Sequence, residues 1–194
     1  MATFKPGANA KRNQALQLAV IAHGNQVRKG NEHIPYVFHC VDVANEVIYY
    51  SGLPVKELLV ASIIAILHDT EEDTIVTIDD VRNQFGDEVA DGVSALSKKS
   101  KVKEKNEHSK IASLKENLKR LKKAPRYVQA VKLGDRISNL KNFPAMWSRK
   151  KIEQYLIESE LIARELGSAS VNLEARLLSR VAEARVMLSL MPSK

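Results

Sequence analysis

VKELLVASIIAILHD, residues 55–69, followed by TEED, residues 70–73, is the stretch that decides how this chain is read. From Val55 to Asp69 a helix would be apolar on nearly every side rather than along one stripe, which puts it at the centre of a helical core. Its apolar run, Leu58 to Leu67 with Ser62 interrupting, is too short for a bilayer span of about 20 residues. The last two residues, His68 and Asp69, are the ones that carry chemistry. An ionised carboxylate at the end of a buried helix is costly unless a charge or a metal pairs with it. Glu71, Glu72 and Asp73 follow, so residues 69–73 hold four carboxylates in five positions. If the helix runs one more turn, Glu72 stands above His68 and Asp73 above Asp69. A bound cation would relieve the repulsion among them, and so would full exposure to water.

Outward from this helix the pattern stays helical. Leu16, Ala19, Val20 and His23 recur at helical spacing over Asn9–His23. Residues 24–37 read as a loop, with Gly24, Gly30, Asn31 and Pro35 as breakers. A helix from about His39 to Tyr50 places Val43, Val47 and Tyr50 on one stripe and stops at Ser51-Gly52. Pro54 suits the first turn of the central helix. Thr77 with Asp80 forms a capping box for a short helix ending near Phe85-Gly86. Asp87 can cap another through about Leu96. Residues 97–106 are polar, and helix resumes to Lys123. Pro125 opens a mostly apolar helix to Leu140, and 142–147 is a turn containing Pro144. Ser148 can cap a helix to Leu166, which Gly167 ends, and Ser170 a last one to about Leu190. No strand pattern competes over more than a few residues. The expected fold is all-α: a single domain over residues 1–194, a bundle of eight to ten helices with its core at about 10–165 and a C-terminal helix at about 170–190.

Composition supports that reading. The chain has 194 residues, 44 % of them apolar, enough to bury a sizeable core. The first 13 residues are polar and basic, with no apolar segment of the secretory kind. Cys40 is the single cysteine, so no intramolecular disulfide forms, and a reducing cytoplasm is the expected location. The net charge of +7 suits an anionic partner, although a lysine-rich solvated surface gives the same number. The positive charge concentrates in residues 98–123 (Lys98-Lys99, Lys101, Lys103, Lys105, Lys119-Arg120, Lys122-Lys123).

Two further positions supply what a metal site needs. His39 opens the helix carrying Val43 and Val47. Asp135 lies on the stripe of Val128 and Val131 in the apolar helix 125–140, with Asn139 one turn on. His39, His68, Asp69 and Asp135 together offer two imidazoles and two carboxylates, a mixture suited to manganese, iron, cobalt or zinc. A cysteine-type structural zinc site is excluded, since no thiolate exists beyond Cys40. Each residue also has a plainer reading: His39 as a helix-start histidine, Asp135 in a salt bridge with Arg136 or a lysine, the acidic run as a solvated loop. One ion explains all of them at once. His23, His33 and His108 read as structural or surface residues.

At these residues the sequence resembles the HD superfamily of metal-dependent phosphohydrolases, whose signature is His … His-Asp … Asp. The finer pattern is similar to the hydrolase domain of the RelA/SpoT group and its stand-alone small alarmone hydrolases. The matching segments are Arg28-Lys29-Gly30, Pro35-Tyr36-Val37-Phe38-His39, Leu67-His68-Asp69-Thr70-Glu71-Glu72-Asp73-Thr74, Phe85-Gly86-Asp87-Glu88-Val89-Ala90 and Val131-Lys132-Leu133-Gly134-Asp135-Arg136-Ile137-Ser138-Asn139-Leu140, with Trp147-Ser148 and Tyr155 in the tail. The resemblance implies that His39, His68, Asp69 and Asp135 ligate a manganese ion. It implies that Glu72 and Asp73 handle the nucleophilic water and proton transfer. Arg28, Lys29 and Asn139 would contact the substrate. The implied activity is removal of the 3′-pyrophosphate from guanosine tetra- and pentaphosphate, giving GDP or GTP and pyrophosphate. Beyond the hydrolase-like region no room remains for a synthetase domain, so hydrolysis alone is expected.

The sequence also departs from the pattern. Cys40 stands where proline is usual, Ser138 where histidine is frequent, and Gly134 where alanine is usual. The loop Gly30–Ile34 is slightly longer than in many members. Two rival functions stay open: an HD phosphatase acting on another nucleotide such as NADPH or a deoxynucleotide, and a basic helical module binding nucleic acid through residues 98–123. Few aromatics interleave with those lysines, which counts against single-strand binding. A nucleotide is the expected partner, no membrane is, and a homodimer is left open.

Overall fold

The computed structural model describes residues 6–97 and 107–190. Ten α-helical segments occur among them: α1 (Pro6–His23), α2 (Val37–Tyr50), α3 (Val55–Leu67), α4 (Thr70–Asp73), α5 (Ile78–Phe85), α6 (Asp87–Leu96), α7 (Glu107–Leu121), α8 (Arg126–Leu140), α9 (Arg149–Leu166) and α10 (Val171–Leu190). A 3₁₀ turn, Gly167–Ala169, joins α9 to α10. The fold is all-α apart from one small ribbon. No helix among the described residues is long and apolar enough to cross a membrane. The lysines between 98 and 106 and the side chain of His108 lie outside the described residues.

The core explains the composition of the central stretch. Helix α3 packs on α1, α2, α6 and α8, and its C-terminal half has no solvent side to keep polar, while Val55 and Lys56 at its start are exposed. Ala61 through Leu67 are all buried. Helices α2, α3 and α8 contact one another pairwise, and α9 and α10 cover the other side of α8. Gly134 on α8 permits the close approach to α2. A Cβ there would lie 3.2 Å from Val47 Cγ2 and 3.4 Å from the Val43 carbonyl oxygen.

Local signals placed most boundaries. Thr77 and Asp80 form the expected capping box: Thr77 Oγ1 accepts from the Asp80 amide, and Asp80 Oδ2 accepts from the Thr77 amide. Ser148 Oγ accepts from the Lys151 amide and Ser170 Oγ from the Leu173 amide, opening α9 and α10. At Asp87 the cap differs from expectation. Gly86, at φ 91°, is the N-cap of α6, and Asp87 is its first helical residue. Asp87 holds Arg82 of α5 instead.

Two larger corrections bear on the site. Residues 24–37 are not plain loop: β1 (Val27–Arg28) pairs antiparallel with β2 (Asn31–Pro35). The strands are too short to show alternation, and the ribbon is fixed by packing. Gly30 turns it at φ +83°, and a Cβ there would fall 2.5 Å from Pro144 Cα, so the turn sits directly on the 142–147 segment. The second correction is that α3 stops at Leu67. His68 is its C-cap, and Asp69 sits at φ −103°, ψ −2°, in the sparsely populated bridge region. Thr70 Oγ1 donates to the Leu67 carbonyl at 2.7 Å, satisfying a carbonyl that the broken helix leaves open. A new single turn, α4, then carries the acidic run.

Candidate metal centre

The three central helices deliver the donors to one place. His39 comes from the first turn of α2, His68 and Asp69 from the end of α3, and Asp135 from the middle of α8. One ligand atom each from His39, His68 and Asp135 lies within 4.8 Å of the others. His39 Nε2 is 3.3 Å from Asp135 Oδ1 and 3.6 Å from Asp69 Oδ2. His68 Nε2 is 2.9 Å from Asp69 Oδ2 and 3.8 Å from Asp135 Oδ1. His39, His68 and Asp135 are buried, and Asp69 is partly exposed at the edge of the cluster.

Hydrogen bonds fix which nitrogen faces inward. His68 Nδ1 is 2.7 Å from the Ala65 carbonyl, which can only accept, so Nδ1 carries the proton. His68 Nε2 is buried with no hydrogen-bond partner of good geometry, although Asp69 Oδ2 lies 2.9 Å away. A buried nitrogen lone pair facing carboxylates calls for a cation between them. A proton can serve the same purpose. Burial opposes charging of His68, but Asp69 and Asp135 outweigh it and hold its pKa well above the usual value. His39, where burial dominates, is shifted downward and stays neutral. Burial also opposes ionisation of Asp69 and Asp135, yet His68 acting on Asp69, and Lys132 with the histidines acting on Asp135, keep both carboxyls below the ordinary range. Two imidazoles and two carboxylates, with one lone pair buried and unpartnered, fit a divalent ion.

The surrounding contacts are specific. Lys132 Nζ donates to Asp135 Oδ2 at 2.8 Å, so the partner of Asp135 is Lys132 and not Arg136. Arg136 points away, over the Tyr155 ring at 4.0 Å and 3.7 Å from Glu158. Asn139 donates to Asp135 Oδ1 at 2.6 Å and accepts from Arg28 Nη1 at 3.1 Å, linking the ribbon to the centre. Lys29 is exposed at the ribbon turn, where its charge acts on Asp73. Tyr36 donates to Asp69 Oδ2 at 2.6 Å. Burial first, then the Asp69 anion, pushes this phenol well above its usual range. Tyr36 and Lys132 are the two site residues that sequence reasoning missed. Lys132 lies one helical turn before Asp135, and the i, i+3 rule would have found it. Tyr36 stands in the family-matching segment Pro35–His39, but nothing in its spacing pointed to Asp69.

Glu72 and Asp73 are solvent-exposed on α4. Although α3 ends at Leu67, the Asp73 amide donates to the Asp69 carbonyl at 3.0 Å, so Asp73 stands one turn above Asp69 as the sequence predicts. The α4 turn is also tied to the ribbon, Gln26 Nε2 donating to the Asp73 carbonyl at 2.7 Å. Partial burial, then Asp69 and Glu72, raises the Asp73 carboxyl above its usual value. Among the other histidines, His23 is buried, bonded to Gln26 and packed 4.8 Å from the Tyr36 ring, while His33 is exposed. Cys40 is buried, its thiol pushed up to about 12 by burial, and its Sγ lies 3.8 Å from His23 Nε2.

The family model described as HD domain matches residues 15–163, a span that contains all four donors. The chain belongs to the HD domain family. An HD domain implies a divalent metal, in keeping with the donor set. Among its relatives is a protein of Drosophila melanogaster, guanosine-3′,5′-bis(diphosphate) 3′-pyrophosphohydrolase MESH1, 29 % identical over 91 % of this chain and 94 % of that protein. Another is a guanosine-3′,5′-bis(diphosphate) 3′-pyrophosphohydrolase of Aquifex aeolicus (strain VF5), 34 % identical over 83 % of this chain but only 22 % of that protein. A solved structure, described as a metazoan orthologue of SpoT that hydrolyses ppGpp, superposes with a TM-score of 0.79. It covers 94 % of this chain and 98 % of its own at 24 % identity, and shows that the helical arrangement is shared.

Proposed function

We propose that this HD domain is a manganese-dependent hydrolase of guanosine tetra- and pentaphosphate, removing the 3′-pyrophosphate to leave GDP or GTP. The observation that carries this reading is the inward-facing, unpartnered Nε2 of His68 beside His39, Asp69 and Asp135. Relatives that carry the pyrophosphohydrolase name align over most of the chain, which supports the choice of substrate. We read residues 10–165 as the catalytic core and α10 as its C-terminal support.

His39, His68, Asp69 and Asp135 would hold the ion, whose chemistry is Lewis acidity toward phosphate and water. The protein's own groups do the rest. Glu72 and Asp73, exposed on the turn that follows Asp69, would orient the attacking water and take its proton. The raised carboxyl of Asp73 suits a proton acceptor better than an ordinary aspartate would. Arg28, already fixed by Asn139, offers a forked donor to a phosphate. Lys29 adds a second positive charge at the rim, against an anionic nucleotide.

The test is to strip the purified protein of metal, reload it with Mn2+, and follow the products by chromatography: pyrophosphate from guanosine tetraphosphate, inorganic phosphate from NADPH, and pyrophosphate or triphosphate from deoxynucleoside triphosphates. The expected result is pyrophosphate from the first substrate, abolished in Asp69→Ala. Near-normal hydrolysis by Asp69→Ala would overturn the site assignment. Turnover confined to NADPH or a deoxynucleotide would overturn the substrate.

A further inference from the structure

Behind His39 runs a polar chain that the family pattern did not announce. Its Nδ1 lies 2.9 Å from Ser138 Oγ, both residues buried. Ser138 Oγ lies 2.7 Å from Asp42 Oδ2. The other Asp42 oxygen takes Lys141 Nζ at 2.6 Å. Lys141 also reaches Glu46 at 2.9 Å, and Arg176 of α10 clasps Glu46 with two nitrogens. The chain thus crosses from α2 to α8 and back, and ends on α10.

The protons in this chain have one consistent arrangement. Lys141 can only donate, and it keeps Asp42 ionised as a pure acceptor. The single hydroxyl proton of Ser138 therefore goes to Asp42. The oxygen's lone pair is left for His39, so His39 Nδ1 must donate. Nε2 is then the nitrogen with the free lone pair, and it is the one that faces Asp135 and Asp69. His68 reaches the same tautomer by another route, through the Ala65 carbonyl.

We infer that Ser138 and Asp42 are positioning residues that fix His39 in its metal-binding tautomer, a hydroxyl relaying what a carboxylate more often does directly to a ligand histidine. The inference rests on reading the cluster as a metal site. Asp42→Asn is the sharpest probe, because the size hardly changes and the polarity reverses. With its carbonyl oxygen on Lys141, the introduced side-chain amide would donate to Ser138, whose hydroxyl would then turn toward His39 Nδ1.

The experiment titrates Mn2+ into metal-free wild type, Ser138→Ala and Asp42→Asn. In parallel, the downfield imidazole N–H protons of the Zn2+-loaded proteins are recorded by NMR. The expected result is Mn2+ binding weakened about 10- to 100-fold in both variants, the usual effect of losing such a partner. The slowly exchanging Nδ1–H signal of His39 should be lost or broadened, while that of His68 persists as an internal control. Affinities within about twofold of wild type, or a retained His39 signal beside weakened binding, would overturn the assignment, since partner loss should cost far more. Wild type that takes up no Mn2+ would overturn the metal centre itself and the relay with it. Ser138 is buried, so Ser138→Ala can perturb packing. Asp42 is half-exposed, and Asp42→Asn carries the test even if the alanine variant folds poorly.

Discussion

Removing the ion should loosen the whole protein, because the donors sit on the three helices that make the core. The perturbation is chelation followed by Mn2+ titration, with unfolding followed by heat. A ligand that binds the folded chain and not the unfolded one adds about 2.7 kcal/mol at a concentration about 100-fold above its Kd. For a chain of 194 residues each kcal/mol moves the midpoint by about 2–4 °C. The expected rise in Tm is therefore about 5–11 °C. His39 Nε2 and His68 Nε2 each lie within 3.8 Å of both carboxylates, so one lost donor should remove most of the effect. His68→Ala, compared with its own metal-free baseline so that any loss of packing cancels, should show no Mn2+-dependent rise. A wild-type Tm indifferent to Mn2+, or a His68→Ala protein that responds as the wild type does, would refute the reasoning.

Glu72→Ala should lower kcat for pyrophosphate release by about 10²-fold or more while leaving the Mn2+-dependent rise in Tm intact, since Glu72 lies outside the donor cluster. Arg28→Ala should raise KM about tenfold with little change in kcat, the scale of one lost charge-assisted hydrogen bond, read from initial rates against substrate concentration. Gly30→Ala should cost about 1–2 kcal/mol from its positive φ alone. The contact with Pro144 adds to that, so Tm should fall and KM rise together as the ribbon carrying Arg28 shifts.

Where information is local, the sequence was readable. The caps at Thr77, Ser148 and Ser170 need only a hydroxyl and the next few amides. The burial of Ala61–Leu67 in α3 follows from the lack of a polar face in that half of the helix. The ribbon at residues 27–35 was not readable, because two- and five-residue strands show no period and their turn is held by Pro144, more than a hundred positions away. The end of α3 was misplaced by two residues for a similar reason. The apolar run up to Leu67 gives no stop of its own, and the Thr70 hydroxyl on the Leu67 carbonyl accompanies the end of the helix. The convergence of His39, His68, Asp69 and Asp135 was suggested by residue chemistry and by the family pattern. Tyr36, whose bond to Asp69 spans 33 positions, had no local trace.

The interruption at Asp69 has a consequence for how such a centre can be lost. In a regular helix neighbouring side chains diverge by about 100°, which works against aiming His68 and Asp69 at one point. Here Asp69 departs from regular helical angles, at φ −103° and ψ −2°, and its Oδ2 lies 2.9 Å from His68 Nε2. Silencing therefore does not require touching a ligand. A more helix-prone residue than Thr70 could straighten the joint, leaving every donor in the sequence and the dyad no longer aimed.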